Sequence, residues 1–247
     1  MYCKLFVFEL PGELRELMRG RDVQRHPYYE AGADVYTVQG GGERLYLKVA
    51  QGGGLGREWR VLQWIGGRLP VPEPVWFGAE GGREFLVSGE IEGTPVYLVD
   101  EVDRGDAVVA MARALRAVHS LDSKGCPFSY PVEGKVEAIE GELGVDDPDT
   151  SGLREGMPVE EPVFTHGDYC LPNVLVAERG LGGVIDWDCG GQADRYVDFV
   201  SAVGSLGYNF GVGEAEEVWA PLFFEEYGVK LDRERFRYYW MINELLD

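Results

Sequence analysis

Three polar residues stand at suggestive spacings in the C-terminal half of this 247-residue chain. Asp168 follows His166-Gly167, Asn173 comes five residues later and Asp186 thirteen beyond that, each beside a short apolar run. One carboxylate to accept or orient a hydroxyl proton, with an amide oxygen and a second carboxylate to hold magnesium, is a set that phosphoryl transfer from a nucleoside triphosphate requires. Magnesium prefers such hard oxygen donors and leaves its other positions to phosphates and water. An isolated Asp or Asn is ordinarily a turn or capping residue. Three in register with two apolar strands are not so easily explained.

The same chemistry needs a cation at the phosphates. Lys48 sits alone among the chain's lysines within an apolar strand pattern, and Glu58 lies on the apolar face of the helix pattern that follows. Separately, the lysine is a strand residue facing solvent and the glutamate a costly buried charge. Paired, each accounts for the other, and a strand lysine held by a helix glutamate places the α- and β-phosphates in kinases. No G-x-x-x-x-G-K-[ST] segment occurs, so a P-loop is absent. Gly52-Gly53-Gly54-Leu55-Gly56 reads as a loop into the Glu58 helix, whereas Ala31-Gly32-Ala33-Asp34 is better placed to cover phosphates. His166, Asp168 and Asn173 fit the H-x-D-x-x-x-x-N loop of protein kinases. Gly167 replaces the arginine usual there and Asp186-Trp187-Asp188 replaces Asp-Phe-Gly, which points to a kinase of small molecules.

The elements that must position these residues change character along the chain. Up to about Gly93, strands and turns dominate: Val35–Val38 and Leu45–Val49 flank the Gly40-Gly41-Gly42 turn, and Phe85-Leu86-Val87 is another strand. One helix interrupts them, with Glu58, Val61, Leu62 and Ile65 at i, i+3, i+4 and i+7 and Gly66-Gly67 ending it. Beyond Gly93, Val108, Met111, Ala112, Leu115 and Val118 form a helical stripe with Asp106 as N-cap. His119 closes that helix in a packing role, favoured there by the helix dipole. Val132 to Glu161 carries ten acids against Lys135 and Arg154 without clean periodicity, and reads as a solvated loop or a cation-collecting lid. A hairpin from Asn173 to Asp186 would set those two residues at the same end of adjacent strands. Helices follow over Asp194–Leu206 and Glu214–Tyr227, and from a cap at Asp232 to Leu246.

Composition narrows the partners. With 23 basic and 43 acidic residues, the net charge of −20 disfavours nucleic acid and anionic membranes and suits a cationic ligand, although solubility alone is also served by it. No apolar run approaches a membrane span, and Leu5 to Phe8 is too short for a signal peptide. Cys3, Cys126, Cys170 and Cys189 form no C-x-x-C pair, so a cytoplasmic protein with reduced thiols is expected, with Cys170 and Cys189 as packing residues.

At the level of particular segments the chain resembles the aminoglycoside phosphotransferases, above all the branch acting on the 3′-hydroxyl of kanamycin and neomycin. The resemblance runs from about residue 28 to the end. It rests on Tyr46-Leu47-Lys48, Arg57-Glu58, Leu69-Pro70-Val71-Pro72, His119-Ser120-Leu121-Asp122 with Cys126-Pro127-Phe128, Phe164 to Asp168, Ala193 to Asp198, and Asn243-Glu244-Leu245-Leu246. It implies an α+β, protein-kinase-like fold: a β-rich N-lobe over residues 1–91, a helical C-lobe over 92–247, and ATP, or GTP, with magnesium in the cleft. By the same resemblance Tyr46 stacks on adenine, the backbone near Glu90 and Ile91 forms the hinge, and Asp198 braces the catalytic loop. Glu244 and the Asp247 terminus would bind substrate ammonium groups. Two places depart from the branch: Asp188-Cys189 stands where it has Gly-Arg, and Leu246-Asp247 replaces its terminal aromatic. Both keep or add negative charge, which makes Asp188 a further substrate-binding candidate.

The expectation is an ATP- and magnesium-dependent O-phosphotransferase, monomeric or homodimeric, acting on an aminoglycoside hydroxyl. Asp168 would be its catalytic residue and Asn173 and Asp186 its metal ligands. A kinase of the same fold for a macrolide, choline or homoserine-like alcohol is the alternative. A nucleotide-binding module without transfer activity would be of another class, and the intact Lys48, Glu58, Asp168, Asn173 and Asp186 speak against it.

Overall fold

A computed structural model describes residues 9–26, 32–144, 150, 152–178 and 180–246. Its contacts divide the chain into two compact units, Met1–Ile91 and Glu92–Asp247. The first is built on one antiparallel sheet of order β1-β2-β3-β5-β4, from β1 (Asp22–Arg25), β2 (Ala33–Gly40), β3 (Glu43–Gln51), β4 (Pro74–Glu80) and β5 (Arg83–Gly89). The β2–β3 hairpin closes on Gly41 and Gly42, both at positive φ, which a two-residue turn matching the strand twist demands. Strand alternation then sorts β3 by face. Leu45, Leu47 and Val49 join Val38, Phe85 and Val87 in the core, while Tyr46 and Lys48 take the opposite face.

Two helices cover this sheet, where the sequence suggests one. The expected helix is α2 (Leu55–Ile65), with Glu58, Val61, Leu62 and Ile65 all buried. The other, α1 (Gly12–Leu17), is too short to show a period, and is held by Leu14 and neighbouring Met18 against the core face.

In the second unit α3 (Arg104–His119) carries the expected stripe, but begins before Asp106, which lies in its first turn and does not cap it. The first part of the acidic stretch is helical where a loop or lid is expected, and its described residues 152–161 are turn and irregular structure. The helical part is α4 (Val132–Leu143), which buries Val132, Val136 and Ile139 at i, i+4 and i+7 and is tied down by Arg154 bonded to both oxygens of Glu140. Two small sheets support the loops between helices. β6 (Thr94–Pro95) joins the hairpin of β8 (Val174–Ala177) and β9 (Gly180–Val184), and β7 (Pro162–Thr165) pairs with β10 (Gly191–Asp194). Asp194 therefore ends a strand, and its carboxylate accepts the Tyr196 N–H that opens α5 (Tyr196–Phe210). The next helical run comprises α6 (Val212–Glu214), a π-helical turn over Ala215–Trp219 and α7 (Ala220–Tyr227). Asp232 accepts the N–H groups of Glu234 and Arg235 and so caps α8 (Arg233–Leu246), as its position in the sequence suggests.

Candidate active site

The loop between β7 and β8 is a short chain of mutually fixed groups. Gly167 has φ +87°, and a Cβ there would stand 2.3 Å from the Cys189 carbonyl oxygen, so glycine alone fits. His166 is fully buried; its Nε2–H donates to the Ile185 carbonyl at 2.9 Å, and Nδ1 accepts the Asp168 N–H at 3.3 Å. The Trp187 ring, also fully buried, lies against His166 with centroids 4.5 Å apart and donates its N–H to Val184. The tryptophan of the Asp-Trp-Asp segment is thus an anchor joining the two loops that carry Asp168 and Asp186.

Asp198, at the start of α5, is 0% exposed and holds this loop from below. Its Oδ1 accepts the Gly167 N–H at 2.7 Å, and Oδ2 accepts the His166 N–H at 2.8 Å and His119 Nε2–H at 2.9 Å. Burial alone would push this carboxyl up; the bond and charge of His119, with those of His166, hold it below the ordinary carboxylate value. His119 also meets the Tyr227 hydroxyl through Nδ1 at 2.8 Å. The helix dipole is therefore only part of the explanation for His119, which is the buried partner of the loop's brace.

Asp168 is exposed, and both its carboxylate oxygens have donors. Asn173 Nδ2 donates to Oδ2 at 3.2 Å and to the Asp168 carbonyl at 3.0 Å, and the Ser201 hydroxyl donates to Oδ1 at 3.2 Å. Asn173 occupies a 3-10 turn, Leu171–Asn173, just before β8. The Ile185 N–H donates to its carbonyl at 2.9 Å, bringing Asp186 beside it at the end of the hairpin. Asp186 is the one non-glycine with positive φ among the described residues, at 65°, a backbone state that costs energy and recurs at functional positions. With Nδ2 turned to Asp168, the amide oxygen of Asn173 is the atom left to meet a cation. Among the described residues no three His, Cys, Asp or Glu side chains form a cluster able to cage a metal. Two oxygen donors fit magnesium, which retains phosphate and water ligands.

An open cavity of about 360 Å³ begins at Asp168 and Cys170 and runs between α5 and α8, lined by Ser201, Tyr208, Trp240 and Glu244 among others. Asp168 and Glu244, far apart in sequence, thus face one space. Trp240 Nε1–H donates to Glu244 at 2.8 Å. Asp188 lies half-buried in the turn before β10, outside the lining of this cavity, and Asp247 lies outside the described residues. Ser201 and Ser205 carry no chemical signal of their own in the sequence, although with Asn209 they form an i, i+4, i+8 polar row on α5. The Cys170 thiol is pushed up to about 12, first by burial and then by the Asp168 charge, which suits a packing residue.

In the first unit, Lys48 Nζ stands 3.2 Å from Glu58 Oε1, with Glu58 only 3% exposed. Tyr46, half-buried on the same sheet face, has the His26 ring edge-on at 6.0 Å. Arg44 holds Glu90 twice: its carbonyl accepts the Glu90 N–H at 3.2 Å, and its guanidinium donates to the Glu90 carboxylate at 2.9 Å. Ile91 follows, half-buried, at the end of this unit. The Gly32–Asp34 part of the Ala31–Asp34 segment opens β2, and Ala31 lies outside the described residues.

Residues 29–239 match the phosphotransferase enzyme family, APH. An aminoglycoside 3′-phosphotransferase of Niallia circulans is 33% identical over 95% of this chain and 96% of its own length. Among solved structures, an aminoglycoside-3′-phosphotransferase of type VIII superposes with a TM-score of 0.78 at 28% identity, covering 94% of this chain and 96% of that one. The aminoglycoside phosphotransferase APH(3″)-Id of Streptomyces rimosus, in complex with ADP and streptomycin, shares the fold with a TM-score of 0.73 at 21% identity over 94% and 95% of the two chains. The chain belongs to the phosphotransferase enzyme family, with the α+β, protein-kinase-like fold of the aminoglycoside phosphotransferases.

Proposed function

We propose that this protein transfers the γ-phosphoryl group of ATP to a hydroxyl, the 3′-hydroxyl, of an aminoglycoside in the cytoplasm. The observation that carries the proposal is Asp168 at the mouth of a cavity it shares with Glu244, its carboxylate fixed between Asn173 and Ser201. That cavity offers the acceptor both a base for its hydroxyl and a carboxylate for an ammonium group. The 3′ position is supported by the names of relatives at 33% and 28% identity, and ATP by the ADP held in the streptomycin complex.

On this reading Asp168 receives the hydroxyl proton as the oxygen attacks phosphorus. Its part is mainly positional, since the transition state is loose and little covalent work falls to the protein. Asn173 and Asp186 would hold magnesium, which when bound would supply positive charge toward the phosphate oxygens. Lys48, kept in place by Glu58, meets the α- and β-phosphates. Tyr46 stacks on the base, and the Glu90–Ile91 backbone, pinned by Arg44, hydrogen-bonds its edge. Glu244 binds substrate ammonium groups. Asp188 and the Asp247 terminus are proposed as further carboxylates for the substrate's ammonium groups.

A coupled assay of ADP release over kanamycin, neomycin, a macrolide, choline and homoserine tests this. Kanamycin or neomycin should stimulate turnover, and Asp168→Ala should abolish the stimulation. Robust turnover of another alcohol, with no aminoglycoside active, would remove the substrate assignment and leave the kinase.

A further inference from the structure

One face of α5 follows the catalytic loop step by step. Asp198, Ser201 and Ser205 stand at i, i+3 and i+7, the spacing of a single helix face. Asp198 takes the N–H groups of His166 and Gly167, Ser201 donates to the Asp168 carboxylate, and Ser205 Oγ accepts the Leu171 N–H at 2.9 Å. Asn209, one turn on, fixes Ser205 in turn by donating to its carbonyl at 2.8 Å and its hydroxyl at 3.2 Å. The first contact secures the start of the loop and the third its end. The middle one alone reaches the group proposed to take the proton.

We propose that Ser201 is a positioning residue for phosphoryl transfer, setting the rotation of the Asp168 carboxylate from the acceptor side. A carboxylate on a loop has a broad terminal torsion and few intrinsic preferences. Here Asn173 Nδ2, with the weaker Cys170 thiol, secures Oδ2, while Ser201 is the side chain that secures Oδ1, so the plane of the carboxylate is held from both of its oxygens. Ser201 and Asp168 both line the cavity, so their contact lies on the side from which an acceptor would approach. The acceptor hydroxyl then finds a base already oriented, and the cost of orienting it has been met on folding. The hydroxyl of Ser201 keeps its own lone pairs for a neighbouring donor of the acceptor.

This inference rests on Asp168 being the base of the proposed reaction, and the test separates the two. In Ser201→Ala, kcat with kanamycin should fall about tenfold, the usual scale for a hydrogen bond to a charged group, while the KM for ATP stays within about twofold. Ser201→Thr, which retains the hydroxyl, should recover most of the loss. In an Asp168→Asn background the same alanine change should cost less than about twofold, because the group it positions is gone. A kcat within twofold of the native enzyme, an equal rise in the KM for ATP, or an equal loss in the Asp168→Asn background would each overturn the role of Ser201. If the native enzyme turns over no aminoglycoside, the substrate assignment fails first, and the Ser201 comparison is read on whichever alcohol of the panel is phosphorylated.

Discussion

Asp198→Asn tests whether the loop is held by charge or by shape, because the two side chains are nearly isosteric. The carboxylate accepts three hydrogen bonds, one on Oδ1 from Gly167 and two on Oδ2 from His166 and His119. An amide has one acceptor oxygen, so one of these positions becomes an NH₂ facing a donor. Placed to keep His166 and His119, it orphans the Gly167 N–H; placed the other way, it orphans two donors. One unsatisfied buried donor costs about 1–3 kcal/mol, and each surviving bond weakens by roughly 1 kcal/mol as its acceptor loses charge. The sum is about 3–5 kcal/mol, similar to breaking a buried ion pair from one side. At about 2–4 °C per kcal/mol for a chain of this size, the midpoint of thermal unfolding should fall by roughly 6–20 °C at pH 7. The pH dependence follows from the direction of the shift. The folded carboxyl is held below its ordinary value, so its contribution is full above the unfolded value of about 4 and fades as pH falls through the folded one. Native and variant curves should therefore converge below about pH 4. A loss under about 1 kcal/mol at pH 7, or a gap independent of pH, would refute the assignment of Asp198 as a charged brace.

Lys48→Met should lower kcat with ATP by about 10²–10³, the usual cost of removing a donor that meets transition-state charge. It should also destabilise the fold more than Lys48→Met with Glu58→Gln, since the single change removes a cation from beside a carboxylate that is 3% exposed; equal unfolding midpoints for the two would argue against the pair. Cys170, pushed up to about 12 by burial and the Asp168 charge, is almost entirely thiol at neutral pH. In metal-free protein at pH 8 it should alkylate on the order of fiftyfold more slowly than a free cysteine, because the thiolate is the reacting form and its greater nucleophilicity offsets only part of its scarcity, and mass-resolved labelling as fast as the free rate would contradict its placement.

The parts legible in the sequence are those whose signal is local. Glu58, Val61, Leu62 and Ile65 lie on one helix face whatever surrounds them, and the glycines of the β2–β3 turn announce a hairpin by their freedom at positive φ. Asn173 and Asp186 meet because a short hairpin leaves its two ends adjacent. What escaped has its cause elsewhere in the chain. The stripe Val132, Val136, Ile139 is present in the sequence, but Gly134, Gly141 and the surrounding acids obscure it. That helix is settled by burial and by Arg154 reaching back to Glu140. β7 and β10 have four residues each, too few for a period, and are strands only because each finds the other. Ser201 and Ser205 look like helix-surface serines until the loop that uses them is folded against α5.

The acidity of the chain takes on a narrower meaning once its partners are visible. A net charge of −20 does not by itself select a polycation, because it is spread over the whole chain. Many individual acids also have guanidinium partners, as Glu140 has Arg154, Glu226 has Arg113, and Glu161 has Arg195 and Arg235. Such surface pairs contribute little energy and leave little field for a ligand. At the cavity the balance differs. Asp168 and Glu244 lie on its lining, which includes no cationic side chain among the described residues. Trp240 donates to one oxygen of Glu244, which orients the carboxylate without neutralising it. An ammonium about 4 Å from such a group gains roughly 4 kcal/mol at an effective dielectric near 20, before desolvation, and an anionic acceptor would be repelled on the same scale. On the proposed reading, preference for a cationic alcohol would therefore come from the carboxylates that line this one cavity, Asp168 and Glu244, more than from the charge of the chain as a whole.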